Sequence, residues 1–181
     1  MKRMKIIPAS FFDRPTLEVA HDLIGCYLVR RTEIRIERHM ITETEAYDGP
    51  KDLASHASKG RTPRTEIMFG HPGFFYVYFV YGMHWMLNIV TGPKDYPGAV
   101  LIRGLEKISG PARLTKKLNI TGELNGKAAN KEAGLWFEMP TTPSGKIPEK
   151  EIARTARIGV EYAGPVWAKK KWRFVLKTKS N

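Results

Sequence analysis

The run Cys26-Tyr27-Leu28-Val29-Arg30-Arg31-Thr32-Glu33-Ile34-Arg35-Ile36-Glu37-Arg38-His39-Met40-Ile41-Thr42-Glu43-Thr44-Glu45-Ala46-Tyr47 alternates apolar or β-branched residues with polar ones on both sides of a polar break at Thr32-Glu33. In a strand, successive side chains point to opposite faces. The run therefore predicts two strands, Cys26 to Arg31 and Ile34 to Tyr47, folded back as an antiparallel hairpin. Asp48-Gly49-Pro50 ends the second arm as a turn. Within that arm Ile41, Glu43, Glu45 and Tyr47 are expected on one face. The two glutamates then stand roughly 6.5 to 7 Å apart at Cα, and like charges that close are unfavourable unless something uses them.

Upstream, Asp13 and Pro15 mark a helix start, Leu17, Ala20, Leu23 and Ile24 make an apolar stripe, and Gly25 supplies the stop, a helix of about three turns. Downstream, residues 51 to 73 are rich in Lys, Ser, Gly and Pro and read as a long ordered loop with one helical turn. Loops that long inside a compact domain are usually functional. The densest aromatic stretch follows, Phe74-Phe75-Tyr76-Val77-Tyr78-Phe79-Val80-Tyr81-Gly82-Met83-His84-Trp85. It predicts a strand over Phe75 to Tyr81 with Tyr76, Tyr78 and Val80 on one face and Val77, Phe79 and Tyr81 on the other. Gly82 lets the chain turn and expose Tyr81. A further strand fits Ala99 to Arg103, separated from the aromatic one by Met86 to Val90 and a turn at Asp95-Tyr96-Pro97-Gly98.

Ser109-Gly110-Pro111 opens a short helix with Leu114 and Leu118 on its apolar face and Arg113, Lys116 and Lys117 on its polar face. Residues 121 to 150, punctuated by Pro140, Pro143 and Pro148, read as surface loop. Strands are expected again over Arg157 to Val160 and Trp172 to Leu176, on either side of Ala163-Gly164-Pro165. No repeat or linker interrupts the pattern. The expectation is a single α+β domain over residues 1–181, mostly antiparallel sheet with peripheral helices.

The chain carries 30 Lys and Arg against 18 Asp and Glu, a formal charge of +12, with 42% apolar residues as in a folded globular protein. Such an excess concentrates polyanions at the surface, so nucleic acid is the leading partner and an anionic membrane the alternative. Against a membrane, there is no amphipathic basic helix of useful length. The most apolar run, near Phe74 to Val80, falls far below the roughly 20 residues that a spanning helix requires. The basic start Met1-Lys2-Arg3-Met4-Lys5 lacks the apolar core of a signal peptide. Cys26, the one cysteine, permits no intramolecular disulfide or cysteine-based zinc cage and reads as a small buried strand residue. An intracellular location is expected: cytoplasm and nucleoid in a prokaryote, nucleus in a eukaryote.

A carboxylate can activate water and stabilise an oxocarbenium-like sugar, so Glu45 near base-binding aromatics suits cleavage of a base from its sugar. The bland alternative is a solvated edge pair, Glu43 and Glu45 balanced by Arg35, Arg38 or His39. His56 in its polar loop is either a base contact or an ordinary surface histidine. The aromatic strand is either core or a ligand platform, and Tyr81 at its turn is a candidate DNA wedge. Glu43, Glu45, Asp48, Asp52 and His56 can also be drawn as a divalent-metal site of a nuclease, although no tight ligand spacing supports that. A noncatalytic module for damaged or single-stranded DNA would use the same aromatics and basic surface, including Lys169-Lys170-Lys171.

A set of motifs, in order, resembles the alkyladenine (3-methyladenine) DNA glycosylases of the mammalian type: Thr42-Glu43-Thr44-Glu45-Ala46-Tyr47, His56, Arg61-Thr62-Pro63-Arg64, Met68-Phe69, Pro72-Gly73, Tyr76 to Met83, Asn88-Ile89, Val100 to Arg103, Ser109-Gly110-Pro111, Ala156 to Val160 and Arg173-Phe174. The resemblance runs from about Phe11 to Leu176. It implies a compact α+β fold with a curved antiparallel sheet, no metal or other cofactor, and a monomer acting on damaged purines in double-stranded DNA. It also implies that Glu45 activates the water that attacks C1′, that Arg103 helps position this water, and that Tyr47, His56 and Tyr78 contact the flipped base. Asn88 would stand at the pocket wall and discourage guanine, and Tyr81 would fill the gap left in the duplex. The chain departs from the mammalian members in lacking a longer insertion after the strand that ends at Arg103, and in having His84 and Trp85 at variable positions.

Overall fold

The computed structural model describes residues 4–141 and 147–177; Met1-Lys2-Arg3 and Pro143 lie outside the described residues. Its strands are β1 Met4–Ile6, β2 Tyr27–Arg31, β3 Ile36–Asp48, β4 Phe75–Val80, β5 His84–Thr91, β6 Gly98–Leu105, β7 Ile108–Ser109, β8 Leu135–Pro140, β9 Ile152–Thr155 and β10 Arg173–Leu176. The helices are α1 Thr16–Asp22, α2 Pro111–Lys117 and α3 Gly164–Lys169. All strands join one antiparallel sheet in the order β1-β8-β2-β3-β6-β5-β4, with β10 pairing β3 and β9, and β7 pairing β6. The architecture is α+β, as the alternating runs predict.

The hairpin forms as β2 and β3, with Leu28 opposite His39 and Arg30 opposite Glu37. β3 is the longest strand and the backbone of the molecule. Its first half pairs with β2, and its second half lies between β6 and β10. The helix before it is shorter than expected, and Val19, Ala20, Leu23 and Ile24 bury its stripe in the main core. That core continues through Phe12, Leu28, Phe75, Leu87, Ile102, Leu114 and Phe137. Cys26 is buried just ahead of β2, its thiol donating to the Asp22 carbonyl at 3.2 Å.

Three expectations need correction. Residues 121 to 150 are not all surface loop, because β8 lies there and buries Trp136 and Phe137. An apolar run as short as Leu135-Trp136-Phe137 is outweighed locally by the flanking prolines, and its backbone partners come from β2 on one side and β1 on the other. Arg157 to Val160 is not a strand. The strand is β9, just before it, and Gly159 at φ 74° breaks any extension while the Ile158 N–H is given to a side chain. Met86 to Val90, read only as the piece between two strands, is the centre of β5.

The loop over residues 51 to 73 holds two 3-10 turns, His56–Lys59 and Glu66–Phe69. Ala57, Met68 and Phe69 from these turns bury themselves against Tyr76, Val90 and Ala99, which clamps the loop onto the sheet. Among the described residues no helix is long and apolar enough to cross a membrane.

Candidate active site

The chemistry gathers on the second half of β3, where a bulge sets the faces. The pairing of β3 with β6 slips between Ile41 and Glu43 and again between Glu43 and Thr44. An extra residue inverts the alternation beyond it. Ile41 therefore joins the core beside Ala46, whereas Glu43, Glu45 and Tyr47 take the opposite face. The expected four-residue face is thus corrected to three. Thr44, on the core side, donates its hydroxyl to the Ala20 carbonyl at 2.7 Å. Opposite the bulge stands Gly104, where a Cβ would come within 2.9 Å of the Glu43 Cβ; glycine lets the glutamate lie against β6.

Glu45 has no exposed surface. Its carboxylate accepts the Ile158 N–H at 2.8 Å and the Tyr47 hydroxyl at 2.9 Å, and it lies 3.4 Å from the Arg103 Nε. Burial pushes the carboxyl above its ordinary range, opposed by Arg103, the Ile158 amide and the Tyr47 hydroxyl. Glu43 is held differently. One of its oxygens accepts from both the Arg103 Nε at 2.9 Å and the Arg173 Nε at 2.6 Å, and Arg173 is brought there by lying opposite Glu45 in the β3–β10 register. The pair is not a solvated edge. Arg35 and His39 lie beside Glu37, and Arg38 pairs with Glu138, so none of the proposed surface partners reaches it.

A cavity of about 310 Å³ opens next to this cluster. Tyr47, His56, Tyr78, Asn88, Arg103 and Tyr81 all line it, together with Tyr76, Ile158 and Tyr162. Glu45 is one layer back, behind its partners Tyr47, Arg103 and Ile158. Tyr76 and Tyr78 share one face of the aromatic strand, as its alternation predicts, and both reach the cavity, whereas Val77 packs in the main core. The His56 ring packs edge-on against Tyr78 at 4.7 Å and its Nδ1 bonds the Tyr76 hydroxyl at 3.0 Å. Burial, with Arg64 and Lys59 nearby, lowers the His56 pKa to about 4, so the imidazole is neutral at physiological pH. The Asn88 amide is buried and donates to the Tyr76 carbonyl at 3.1 Å, which fixes its orientation at the wall.

Tyr81 is 87% exposed and sits at φ 51° in the turn between β4 and β5, followed by Gly82 at φ 64°. A bulky residue in the left-handed region is strained, and strain of this kind concentrates where a side chain has a task. The carboxylates of the supposed metal set do not converge. Asp52 is taken by Arg157, Asp48 accepts from the Tyr96 hydroxyl, and among the described residues no three of His, Cys, Asp and Glu gather to hold a metal ion.

Some contributors have no local signal in the sequence. The Ile158 amide is one, since every non-proline residue carries an N–H. Tyr162, 70% exposed with its hydroxyl donating to the Ala54 carbonyl at 2.8 Å, is another. Arg64, in the Arg61-Thr62-Pro63-Arg64 motif, is a third: its guanidinium stands over the Tyr78 ring at 5.0 Å.

The sequence matches the family model for methylpurine-DNA glycosylase over residues 10–110 and 107–180. The chain belongs to the methylpurine-DNA glycosylase family. Similar relatives of this family carry the name "Putative 3-methyladenine DNA glycosylase". One from Methanocella arvoryzae is 43% identical, the alignment covering 94% of this chain and 92% of the relative. One from Wolbachia pipientis wMel is 51% identical over 93% of this chain and 90% of its own, and one from Myxococcus xanthus 41% identical over 94% and 89%.

Proposed function

We propose that the protein is a monofunctional DNA glycosylase that acts as a monomer on double-stranded DNA. It flips out alkylated or deaminated purines and hydrolyses their N-glycosidic bond without a cofactor, leaving an abasic site. The observation that carries this reading is the buried carboxylate of Glu45 set directly behind the wall of an aromatic cavity. Tyr81, strained and exposed at the rim, fills the gap left by the flipped nucleotide. The base enters between Tyr47, His56 and Tyr78. A purine alkylated at N3 or N7 is cationic, and each electron-rich tyrosine face contributes about 0.5 to 2 kcal/mol of cation–π attraction.

Water then attacks C1′ at the wall formed by Tyr47, Arg103 and Ile158. Its oxygen forms the new bond to C1′, its proton passes to Glu45, and the electron pair of the breaking C1′–N bond leaves with the base. Arg103 holds the water, and the Glu45 carboxylate balances positive charge growing on the sugar. A neutral His56 adds no charge against a cationic base. Asn88, with its amide fixed by Tyr76, discourages the exocyclic amino group of guanine.

Single-turnover release of free base from a duplex bearing one defined lesion tests the proposal, alongside binding of the same duplex. The wild-type protein should release base and form no borohydride-trapped adduct, because hydrolysis by water makes no Schiff base. Tight lesion binding without release by the wild-type protein would leave a noncatalytic damage-binding module instead.

A further inference from the structure

Behind the Tyr47 ring lies an ion pair that the hydrolysis above does not use. Arg157 and Asp52 both have fully buried side chains and meet fork to fork, at 2.5 Å and 2.8 Å. The guanidinium also donates to the Ala46 carbonyl at 2.9 Å and is stacked 4.8 Å from the Tyr47 ring and 5.0 Å from the Trp172 ring. Asp52 in turn accepts the backbone N–H groups of Asp48 and Ala54. One pair thus ties together the end of β3, the start of the loop that presents His56, and the segment that follows β9.

A buried ion pair is a poor device for stability alone, because desolvation consumes most of what the attraction returns. Here, among the described residues, the Arg157 Nε also finds no hydrogen-bond acceptor, a further cost that calls for an explanation. The explanation lies in what the arginine touches. Its stack holds the Tyr47 ring, whose hydroxyl donates to Glu45, and its backbone continues into Ile158, whose N–H donates to the other Glu45 oxygen. Ile158 is itself 50% exposed and Gly159 has open space around it, so the amide is not held in place by burial of its own side chain.

We propose that Arg157, neutralised by Asp52, is a positioning residue for base excision: it holds both the Tyr47 hydroxyl and the Ile158 amide on the Glu45 carboxylate. The bidentate carboxylate also cancels the charge behind Tyr47, so the ring can still face a cationic base. This proposal rests on Glu45 being the group that activates water. The two Arg157-dependent donors favour the ionised carboxylate, as does Arg103, while Glu43 opposes it. Arg173, paired with Glu43, and the hydroxyls of Tyr78 and Tyr162 complete the titratable surroundings of Glu45.

The test is the single-turnover rate of base release as a function of pH, at saturating protein, with lesion-duplex affinity measured in parallel. Arg157→Lys keeps the charge opposite Asp52 but loses the fork and the stack. The double variant Asp52→Asn with Arg157→Met removes both buried charges and so preserves folding if the single variant does not. Loss of positioning should lower the rate of order 10²-fold with affinity changed only a few-fold. Without its donors the Glu45 carboxyl ionises less readily, so the acid limb of the profile should move to higher pH. A folded variant with a near-normal rate, or a slower one whose acid limb stays in place, overturns the proposal. Failure of the wild-type protein to release base overturns instead the function on which it rests.

Discussion

The two halves of β3 use charge in opposite ways. In the first half, the half-exposed Arg38 reaches over to the buried Glu138 of β8, while Arg35 meets Glu37 near the surface. A surface pair such as Arg35–Glu37 contributes about 0 to 1 kcal/mol, and the region is held by what lies beneath, Trp136 and Phe137 from β8 against Leu28 and Val29 of β2. In the second half, Glu45 is buried, Glu43 is clamped by Arg103 and Arg173, and Asp52 sits sealed against Arg157 just beyond the strand. One strand thus carries a stability half and a chemistry half, divided at the bulge between Ile41 and Thr44. Where charge is buried in this half, free energy is spent on holding the carboxylate for which catalysis is proposed.

The largest effect should come from Glu45→Gln. Base release should fall by about 10²-fold to 10⁴-fold or more, with lesion binding largely kept, because glutamine keeps the shape but takes no proton from water. Stability should move the other way. The folded Glu45 carboxyl is raised above its unfolded value, so its contribution is fully present at low pH and is lost as pH rises through the folded value. Calorimetry from about pH 4 to about pH 8 should therefore show the melting temperature of the variant gaining on the wild type as pH rises. A constant difference across that range would mean that Glu45 is not raised.

Trp136→Ala probes the other half. It should cost roughly 3 to 5 kcal/mol in denaturant unfolding, while the folded fraction keeps its rate of base release. A comparable loss of rate in the folded fraction would show that the two halves are not separable. Glu43→Gln should slow release only of order 10-fold, since it loosens Arg103 without removing Glu45, the carboxylate proposed to take the proton. If this variant lost activity while Glu45→Gln kept it, the two glutamates would have to exchange roles. The smallest effect belongs to Arg35→Ala, at most about 1 kcal/mol of stability and no change in rate, because its pair with Glu37 lies at the surface.

Local pattern was enough for a good part of this. A period of two announced β2, β3, β4 and β6, a stripe at helical spacing announced α1 and α2, and +12 of charge with clustered aromatics pointed to nucleic acid. The motif resemblance named every lining side chain to which a role is proposed here, from Tyr47 to Arg103. Local pattern failed where a segment borrows its structure from distant partners. β8 exists because β1 and β2 flank it, and Arg157 to Val160 gives up a strand because its amide and guanidinium serve groups about a hundred residues earlier in the chain.

By itself, then, the order of residues determined the alternating strands, the spacing of Glu43 and Glu45, the basic surface and the turn that exposes Tyr81, all of which depend on neighbours within a few positions. Only the tertiary structure decided that Ile41 turns to the core and that Glu45, not Glu43, loses all contact with solvent. It also decided that the Ile158 amide and the Tyr47 hydroxyl converge on one carboxylate. The physical reason is that burial, and with it the proton affinity of a carboxyl group, is set by atoms far away in sequence. Glu45 and Ile158 are 113 residues apart, and no periodicity within β3 encodes that contact.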